Sequence, residues 1–545
     1  MIDMKVEKQL KTKGKRNDKG ITIGSNCKLT LLDSKKVSLG DVPVFLNQTS
    51  YEVMKRSHDF LKSFVNKRVP IYGINTQFGD QVQLLDDHLK SSDSSLYYDS
   101  INDRQQNLIK SHNCGMGAEV SIEIVRVAMF LRAHCLSQGY SGVPAQVVET
   151  FIQFLNAGII PIVYCYGSIG ASGDLIPLAT IAGAMIGENV KVHYQNAITP
   201  APLAMKLAGL KPLKPEMRDG LAMINGTSFM TAIASIALYD LRRLFKQMLK
   251  SIAMTLESLM VINSAYHPLI HHLKHHTGQQ EINNFMNEFW QGSQLIVNLD
   301  ELRSKENNNE KNFPGKEHPN KAVQDYYSLR SVAQGFGPFQ ENLTRAVDWI
   351  ENEMNSVNDN PIVDALEGHI HHGANFMGYY VTDACDILKM NIGQASTWLH
   401  ALLANLVHPR KSHYLPANLV SHPEKDNGFR PIQLLAASLA VQNRKLAQSH
   451  QSFSLPTEGD NQDVNSLGTH AAFDFRESVD NLERLTAIML LASVQALEFR
   501  GIKKASKNAQ NIYQIIRDCS KTVGECRPMH EELKNVVSLL KEEKI

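Results

Sequence analysis

The chain lacks the long apolar runs, paired cysteines and excess charge that mark several broad classes of protein. No stretch reaches the roughly 18 uninterrupted apolar residues of a membrane-spanning helix. Its 56 basic and 55 acidic side chains nearly cancel, so no overall field attracts nucleic acid or an anionic membrane. The 7 cysteines show no C-x-x-C spacing, which argues against a disulfide framework and a zinc site. The sequence therefore predicts a globular cytoplasmic protein without metal, nucleic-acid or membrane partners.

Length and charge pattern predict more than one packed region. The 545 residues exceed the about 250 to 300 at which a single core usually stops growing. The first twenty residues are basic and have no apolar signal-peptide core, and we expect residues 1–36 to form a flexible basic tail. We assign residues 37–220 to an N-terminal domain. Residues 221–545 are assigned to a central bundle of long helices followed by C-terminal helices.

Helical periodicity dominates the chain and predicts a mainly α fold. Apolar residues recur every three or four positions over residues 118–139, with Gly139 as a stop signal. The run 478–501 is apolar on nearly every face in its second half, as in a helix buried in a bundle or a subunit interface. Residues 300–321 are polar and Asn-rich with two prolines, which predicts a long loop. β-branched and turn residues over 21–42 predict one or two short strands.

The most unusual segment is the glycine-rich "YCYGSIGASGDLIPLA" of residues 164–179. It has neither the glycine spacing of a dinucleotide site, nor the lysine of a phosphate loop, nor a G-x-S-x-G nucleophile elbow. One interpretation is a tight turn before a helix that begins near Asp174. The other is backbone chemistry, in which the Gly173 nitrogen closes a ring onto the Ala171 carbonyl carbon. Loss of one water from the ring and one from Ser172 leaves an imidazolone with an exocyclic methylidene, which is an electrophile.

The second interpretation agrees with a resemblance to a known family. The segment resembles the Ala-Ser-Gly segment of the histidine and aromatic amino-acid ammonia-lyases, whose cofactor, 4-methylidene-imidazol-5-one (MIO), forms from these three residues. Gln77 is a departure, because the family usually has Gly there, and we expect it to reshape the loop that carries Tyr72. Six further segments are similar in the same order: "IYGINTQFG" (71–79), "GLAMINGTS" (220–228), "VQDYYSLR" (323–330), "NSVNDNPIVD" (355–364), "HHGANFMG" (371–378) and "EGDNQDVNSLG" (458–468).

The resemblance implies a fumarase/aspartase-like fold, a homotetramer with active sites shared between chains, and elimination of ammonia from an L-α-amino acid. MIO would form from Ala171, Ser172 and Gly173 and capture the amine. Tyr72 would remove the β-hydrogen, which calls for a phenol pKa lowered from about 10 toward neutrality. Arg330 would hold the substrate carboxylate through its guanidinium fork. The polar groups implied to orient cofactor and substrate are Asn225, Gln324, Tyr327, Asn375, Glu458, Asn461 and Gln462.

Each of these residues also has an ordinary structural interpretation. The amides and phenols are equally suited to be satisfied buried polar groups, Glu458 to be a solvated loop charge, and Arg330 to be a surface residue at a helix end. A scaffold that keeps the fold without the chemistry would leave residues 171–173 unmodified. The stretch "HPLIHHLKHH" (267–276) holds five histidines but no pattern for a further ligand. We expect a polar helix face or a subunit contact there, not a metal site.

The pair Ser111-His112 bears on the substrate. Phenylalanine lyases of the family typically carry Phe-Leu here, many tyrosine lyases His-Leu, and histidine lyases and some tyrosine lyases and aminomutases Ser-His. A buried histidine favours a substrate ring with a hydrogen-bonding group. Histidine lyases, however, typically carry Gln-Glu-Asp where this chain has Asn461-Gln462-Asp463. We therefore rank tyrosine or phenylalanine, giving a cinnamate-type acid, ahead of histidine, giving urocanate. A tyrosine or phenylalanine 2,3-aminomutase also stays open.

Overall fold

Helices form most of the computed structural model, which describes residues 20–82, 93–302 and 324–545. We number helices and strands in chain order over these residues. The first group of helices is α1 (Leu31–Leu39), α2 (Gln48–Asn66), α3 (Ser94–His112), α4 (Ile122–Leu136), α5 (Ala145–Ala157), α6 (Leu175–Met185), α7 (Ala201–Leu207) and α8 (Asp219–Ile224). The second is α9 (Ser228–Ser258), α10 (Pro268–His272), α11 (Thr277–Phe289), α12 (Tyr327–Arg330), α13 (Val332–Met354), α14 (Tyr379–Leu406), α15 (Arg430–Leu446), α16 (Gly468–Arg500), α17 (Lys507–Arg517) and α18 (His530–Lys541).

The strands are short and form small separate sheets. They are β1 (Ile21–Ile23), β2 (Val44–Leu46), β3 (Met116–Glu119), β4 (Ile160–Pro161), β5 (Tyr164–Tyr166), β6 (Lys191–Tyr194), β7 (Ala197–Pro200), β8 (Ile362–Asp364) and β9 (His369–His371). β1 pairs with β2 in parallel, while β3 with β5, β4 with β6, β6 with β7, and β8 with β9 are antiparallel. The mainly α fold predicted from the sequence is confirmed.

α9 and α16 run parallel through the centre of the bundle. At one end, a Cβ on Gly468 of α16 would lie 2.3 Å from the sulfur of Met230 in α9, so the Met230 side chain packs directly on Gly468. Farther along both helices, the hydroxyls of Thr255 in α9 and Ser493 in α16 share a hydrogen bond of 2.7 Å. Since both contacts follow the same order on each helix, the N-terminal ends of α9 and α16 lie together.

α14 brings a third N-terminal end to the same place. Gly378, directly before α14, also packs on the Met230 sulfur, 2.2 Å from where its Cβ would be. The Thr382 hydroxyl in the first turn of α14 donates to the Ser466 carbonyl, just before α16, at 2.7 Å. One end of the bundle is therefore built from three helix N-termini.

The apolar half of α16 is covered by its own chain. Leu485, Leu490 and Leu497 are essentially inaccessible to solvent, because α9, α14 and α15 surround the helix. This burial agrees with a helix in a bundle and gives no support to a subunit interface. Exposed apolar side chains lie instead on α15, where Leu434 is 71% and Val441 is 62% exposed.

Two boundaries differ from the sequence predictions. α4 begins at Ile122, not near 118, because residues 116–119 pair with β5 as strand β3. Residues 20–36, placed in the predicted tail, contain β1 and the start of α1, and Leu29 and Leu31 are buried in the main core. The packed part of the chain therefore begins before residue 36. The domain division at residue 220 remains a prediction.

Two further predictions concern membranes and loops. Within the described ranges, no helix combines the length and the apolar character needed to cross a bilayer. The long loop predicted for residues 300–321 lies almost wholly outside those ranges.

Candidate active site

The Ala-Ser-Gly segment is a tightly bent connection between β5 and α6. Gly170 and Gly173 have φ angles of +67° and +68°, in the left-handed region that favours glycine. The Asp174 amide donates to the Gly226 carbonyl at 2.9 Å, and Gly173 and Gly226 lie side by side as a backbone bridge. A Cβ on Gly173 would stand 2.3 Å from the Gly226 oxygen. Only glycine can occupy this position, which also leaves the nitrogen of Gly173 unhindered.

Asn225 binds the serine of this segment directly. Its side-chain amide donates to the Ser172 hydroxyl at 2.8 Å and to the Ser172 carbonyl at 3.0 Å. Asn225 is 2% exposed, and its Oδ1 atom is buried with no hydrogen-bond partner in the described part of the chain. An orphaned buried oxygen is costly, so it indicates a group that this arrangement is built to meet. The bend, the paired glycines and this amide all suit an imidazolone ring formed from residues 171–173.

Asp174 anchors the segment from below. Its fully buried carboxylate accepts from the Ser168 hydroxyl at 2.7 Å, from the Met230 backbone at 2.8 Å and from the Thr469 hydroxyl. Burial raises the pKa of Asp174, and these hydrogen bonds oppose the rise. Because Met230 and Thr469 lie at the starts of α9 and α16, the carboxylate holds the Ala-Ser-Gly segment against the end of the bundle.

The helix N-termini around the segment make its surroundings electropositive. α6 begins directly after it, and α9, α14 and α16 begin in the residues that touch it or its anchors. The backbone N–H groups at a helix N-terminus carry a partial positive charge of roughly half an elementary charge. Negative charge placed beside this segment would therefore be stabilised by the helix N-termini.

Tyr72 lies in a loop that is tied to the same region. Its hydroxyl accepts from the Gly79 backbone at 3.0 Å, and its backbone N–H donates to Nε2 of His372 at 3.3 Å. Gln105 of α3 donates to the Gly73 carbonyl at 2.8 Å and accepts from the Leu221 amide at 2.9 Å. This one side chain holds the Tyr72 loop against α8, which leads into Asn225. Gln77 does not prevent the Tyr72 hydroxyl from finding its backbone donor.

The pKa of Tyr72 differs from the sequence expectation. Burial raises the phenol pKa above its usual value, the Gly79 N–H lowers it, and the nearby charge of Glu458 raises it further. The groups that this chain itself places around Tyr72 therefore shift its pKa in the direction opposite to the expected depression. The physical reason is that desolvation and a neighbouring carboxylate both disfavour the phenolate.

Glu458 lies directly beside the Tyr72 loop. A Cβ on Gly79 would be 2.5 Å from the Glu458 carboxylate carbon, so carboxylate and loop are in contact. Glu458 has a φ of +56° in a turn closed by backbone hydrogen bonds between Thr457 and Gln462, and Asn461 donates its amide to the Glu458 carbonyl. Backbone of this kind is costly for residues other than glycine and clusters at functional sites. The chain thus brings Glu458, Asn461 and Gln462 together with Tyr72.

Ser111 and His112 form the end of α3. Nδ1 of His112 lies 2.9 Å from the Leu108 carbonyl, which only accepts, so in the neutral ring Nδ1 carries the proton and Nε2 is an acceptor. The Ser111 hydroxyl also donates to Leu108. β3 follows α3 and pairs with β5, the strand that leads into the Ala-Ser-Gly segment.

Asn375 lies between β9 and α14. Its side-chain amide donates to the Val357 carbonyl at 3.2 Å and is solvent-exposed. Three residues later the chain reaches Gly378, which packs at the junction of the helix N-termini. Asn375 therefore belongs to the same end of the bundle as Asn225.

The Gln/Tyr/Arg segment (324–330) lies at a different place on the chain. Ser328 accepts hydrogen bonds from Trp398 at 2.8 Å through its carbonyl and from Asn405 at 3.0 Å through its hydroxyl, both near the C-terminal end of α14. The Ala-Ser-Gly segment is at the N-terminal end, next to Thr382. At about 1.5 Å per residue along α14, the two groups are separated by roughly 25 to 35 Å within one chain.

The residues of this distant segment face outward. Tyr327 is 76% exposed and Gln324 is exposed, while the Arg330 guanidinium stacks on the Tyr327 ring at 4.7 Å. A single chain therefore does not bring Arg330 together with Ser172. The predicted site residues divide into two groups, one at each end of α14.

The histidine-rich stretch 267–276 contributes nothing to either group. His271 is buried, and its ring nitrogens meet the Ala265 carbonyl and the Gln279 side chain at 3.0 Å. Among the residues that the structure describes, no three His, Cys, Asp or Glu side chains are grouped so as to hold a metal ion.

Sequence reasoning missed four residues that shape the site: Gln105, Asp174, Glu353 and His372. Asp174 directly follows the Ala-Ser-Gly triad, so its position was visible although its burial was not. The other three belong to matched or neighbouring segments but act across more than 30 positions of sequence. No spacing rule connects such partners.

Known proteins resemble this chain over nearly its whole length. The family model described as aromatic amino acid lyase matches residues 29–518. The chain is 33% identical to the histidine ammonia-lyase of Geobacillus thermodenitrificans, covering 95% of this chain and 96% of the relative. It is 32% identical to the tyrosine 2,3-aminomutase of Myxococcus fulvus, covering 94% and 95%. The solved phenylalanine aminomutase of Pantoea agglomerans superposes with a TM-score of 0.88 at 28% identity, covering 96% of this chain and 99% of that one.

Proposed function

The chain belongs to the aromatic amino acid lyase family and is an enzyme with the family's fumarase/aspartase-like fold, and from this premise we propose that it eliminates ammonia from an aromatic L-amino acid. Tyrosine or phenylalanine is the favoured substrate and a cinnamate-type acid the product. The observation that carries the proposal is the Ala171-Ser172-Gly173 bend, with Asn225 on the serine hydroxyl and Gly226 against Gly173.

The residues of the bend would hold MIO covalently, with Asn225 and Tyr327 as polar neighbours. When present, MIO supplies an electrophile that captures the substrate amine and makes it a better leaving group. Tyr72, as its phenolate, takes the β-hydrogen as a proton at Oη and becomes the neutral phenol; the Gly79 N–H stabilises the phenolate before this transfer. Glu458, beside the same loop, holds the amine end of the substrate.

We assign the other half of the site to another copy of this chain. Arg330 is suited to bind a carboxylate bidentately, and with Gln324 and Tyr327 it would complete the site around Ser172, Asn225 and Asn375. The support is the separation of the two groups along α14 together with the exposure of Tyr327. The exposed leucines and valine of α15 offer apolar area for assembly, which the resemblance implies is a homotetramer.

His112 supports a substrate ring with a hydrogen-bond donor. Its Nε2 is left as an acceptor because Nδ1–H is used by the Leu108 carbonyl. A tyrosine hydroxyl or a histidine ring N–H can donate to it, whereas a phenyl ring cannot. This favours tyrosine over phenylalanine, while Asn461 and Gln462, where histidine lyases typically carry Gln and Glu, argue against histidine.

The test is incubation of purified enzyme with L-tyrosine, L-phenylalanine and L-histidine in separate reactions. Ultraviolet absorbance would report coumarate, cinnamate or urocanate, and chromatography would report β-amino acids. We expect coumarate from tyrosine at the highest kcat/KM. Urocanate as the main product would favour histidine, which the 33% identical histidine ammonia-lyase supports as the second candidate. Accumulation of a β-amino acid would favour an aminomutase, and no product from any of the three would refute the proposal.

Replacing His112 by leucine should change substrate preference. The variant removes the acceptor for the tyrosine hydroxyl, which would then be desolvated without a partner. We expect kcat/KM for tyrosine relative to phenylalanine to fall roughly 10- to 100-fold, measured by initial rates on both substrates. Ser95→Ala, which removes an exposed hydroxyl that donates to Asp99 at the other end of α3, is the control and should change the ratio little. An unchanged ratio in the leucine variant would remove His112 from the substrate pocket.

The raised pKa of Tyr72 predicts the direction of the pH profile. Because the phenolate is the base and its pKa lies above the usual value, the active form grows as pH rises. We expect kcat/KM to increase with pH above neutrality and Tyr72→Phe to lose about 10² to 10⁴ in rate at every pH. Glu458→Gln removes a charge that raises the Tyr72 pKa, so its rising limb should move to lower pH. If the rising limb of the Glu458→Gln profile stays at the same pH, that limb reports the titration of a group other than Tyr72.

A further inference from the structure

Glu353 is a carboxylic acid that the reaction does not use, yet it lies beneath the Ala-Ser-Gly segment. It sits in the last turn of α13 and receives a hydrogen bond from the Thr227 hydroxyl. Thr227 directly follows Asn225 and Gly226, the two residues that touch Ser172 and Gly173. The connection from Glu353 to the segment therefore passes through three consecutive residues.

We propose that Glu353 is a positioning residue for ring formation: by holding Thr227, it fixes Asn225 and Gly226 against Ser172 and Gly173. This inference rests on the proposed function, because it concerns how the ring forms. Glu353 does not touch the reacting atoms and is not a catalytic residue.

The geometry leaves the Asn225–Gly226 backbone little freedom except through Thr227. A Cβ on Gly226 would stand 2.2 Å from an Arg132 nitrogen on one side and 2.6 Å from the Asn358 carbonyl, while the Gly226 carbonyl accepts from Asp174 on the other. Gly226 is thus enclosed, and its φ of +159° is nearly extended. Thr227 is the next residue along the chain, and the hydrogen bond of its hydroxyl fixes the position of the Asn225–Gly226 backbone.

Charge supports the same assignment. Burial raises the pKa of Glu353 to about 7, and the charge of Asp174 adds to the rise. Asp174 receives hydrogen bonds from Ser168, Met230 and Thr469, whereas Glu353 receives one from Thr227. The negative charge of the pair is therefore better stabilised on Asp174, and a neutral Glu353 can serve as a hydrogen-bonding support.

Ring formation shows why such positioning matters. The Gly173 nitrogen forms a bond to the Ala171 carbonyl carbon, and the carbonyl oxygen leaves as water with the amide hydrogens of Gly173 and Ser172. Ser172 then loses its hydroxyl and its Cα hydrogen as a second water, which leaves the methylidene. No oxidant or reductant is needed. Since an amide nitrogen is a weak nucleophile, the first bond depends on holding nitrogen and carbon in a near-attack geometry.

The test follows ring formation by intact mass during cell-free synthesis of the full chain. Glu353→Leu and Thr227→Val each remove the hydrogen bond, and we expect roughly 5- to 100-fold slower loss of two waters in each, corresponding to one lost buried hydrogen bond. Glu353→Gln and Thr227→Ser keep an acceptor and a donor and should cyclise at nearly the wild-type rate. The double variant Glu353→Leu with Thr227→Val should be no slower than either alone, because both break one contact.

Glu257→Leu is the matched control for general damage to the core. Glu257 is also a buried carboxyl on a hydroxyl partner, Ser506, but it lies at the far end of α9, about 45 Å from Thr227. It should cyclise normally if folded. Circular dichroism and gel filtration establish which variants fold. If Glu353→Leu does not fold, the cyclisation rate of Thr227→Val tests the proposal.

The outcomes separate this inference from the proposed function. Wild-type protein that never loses two waters would overturn the proposed function itself. Wild-type protein that cyclises, together with folded Glu353→Leu and Thr227→Val chains that cyclise equally fast, would overturn only the role of Glu353.

Discussion

Ser172→Ala is expected to have no measurable turnover of any aromatic amino acid while keeping its fold. Alanine lacks the hydroxyl that leaves in the second dehydration, so no methylidene forms and the substrate amine has nothing to add to. Elimination of unactivated ammonia is slow enough that we expect a loss of at least ~10³-fold, measured as product formed per mole of enzyme. Circular dichroism and gel filtration should match the wild type, because in the described ranges the Ser172 hydroxyl is held by one side chain, Asn225.

The matched control is Ser235→Ala. Ser235 is a buried serine of α9 whose hydroxyl donates to the Ala232 carbonyl. Ser235→Ala therefore also removes one buried hydroxyl oxygen, but it leaves the Ala-Ser-Gly bend unchanged. It should keep both activity and the mass deficit of two waters. Normal activity in Ser172→Ala would contradict the proposed function, whatever the mass.

Two inactive variants should restore activity to each other when they assemble together. Arg330→Gln removes the carboxylate clamp at one end of α14, and Ser172→Ala removes the precursor of the electrophile at the other. Because the two groups are roughly 25 to 35 Å apart in one chain, a site that contains both must join two chains. Co-expression should therefore create some sites with an intact Ser172 and an intact Arg330, and activity should rise at least ~10-fold above either variant alone.

The control uses two variants of the same half-site. Ser172→Ala and Tyr72→Phe both lie at the N-terminal end of α14 within one chain, so no mixture of them contains an intact set. That mixture should stay inactive. Differently tagged chains purified in sequence would verify that mixed assemblies form in both cases. If mixed assemblies form and neither mixture is active, the whole site lies within one chain.

The chemistry of residues 171–173 could be predicted from the sequence, whereas the pKa of Tyr72 could not. Residues 171–173 are consecutive, so their bond-forming potential could be recognised without a fold. The raised pKa of Tyr72 could not be, because it depends on burial and on Glu458, a residue that only folding brings to Gly79. Likewise, the period of apolar residues over 478–501 predicted α16 but not its start at Gly468, and whether its own chain or a partner covers it depends on how α9 and α14 pack.

The resemblance implied sites shared between chains, but the sequence did not show which residues fall in which half. Motif order places the segment 324–330 between the Asn225 and Asn375 segments, which suggests one continuous pocket. The hydrogen bonds of Ser328 to Trp398 and Asn405 place it instead at the opposite end of a helix. A linear order of motifs carries no information about which end of a long helix a loop returns to.

The length of α14 therefore determines the distance between the two half-sites. Its 28 residues set their spacing on every copy of the chain. Two copies placed antiparallel, related by a two-fold axis, would bring each chain's arginine end to the other's serine end and create two equivalent pockets at once. Inserting or deleting one turn would shift one end by about 5.4 Å and spoil both pockets together. The length of this helix, and not only the residues at its ends, would then be under selection.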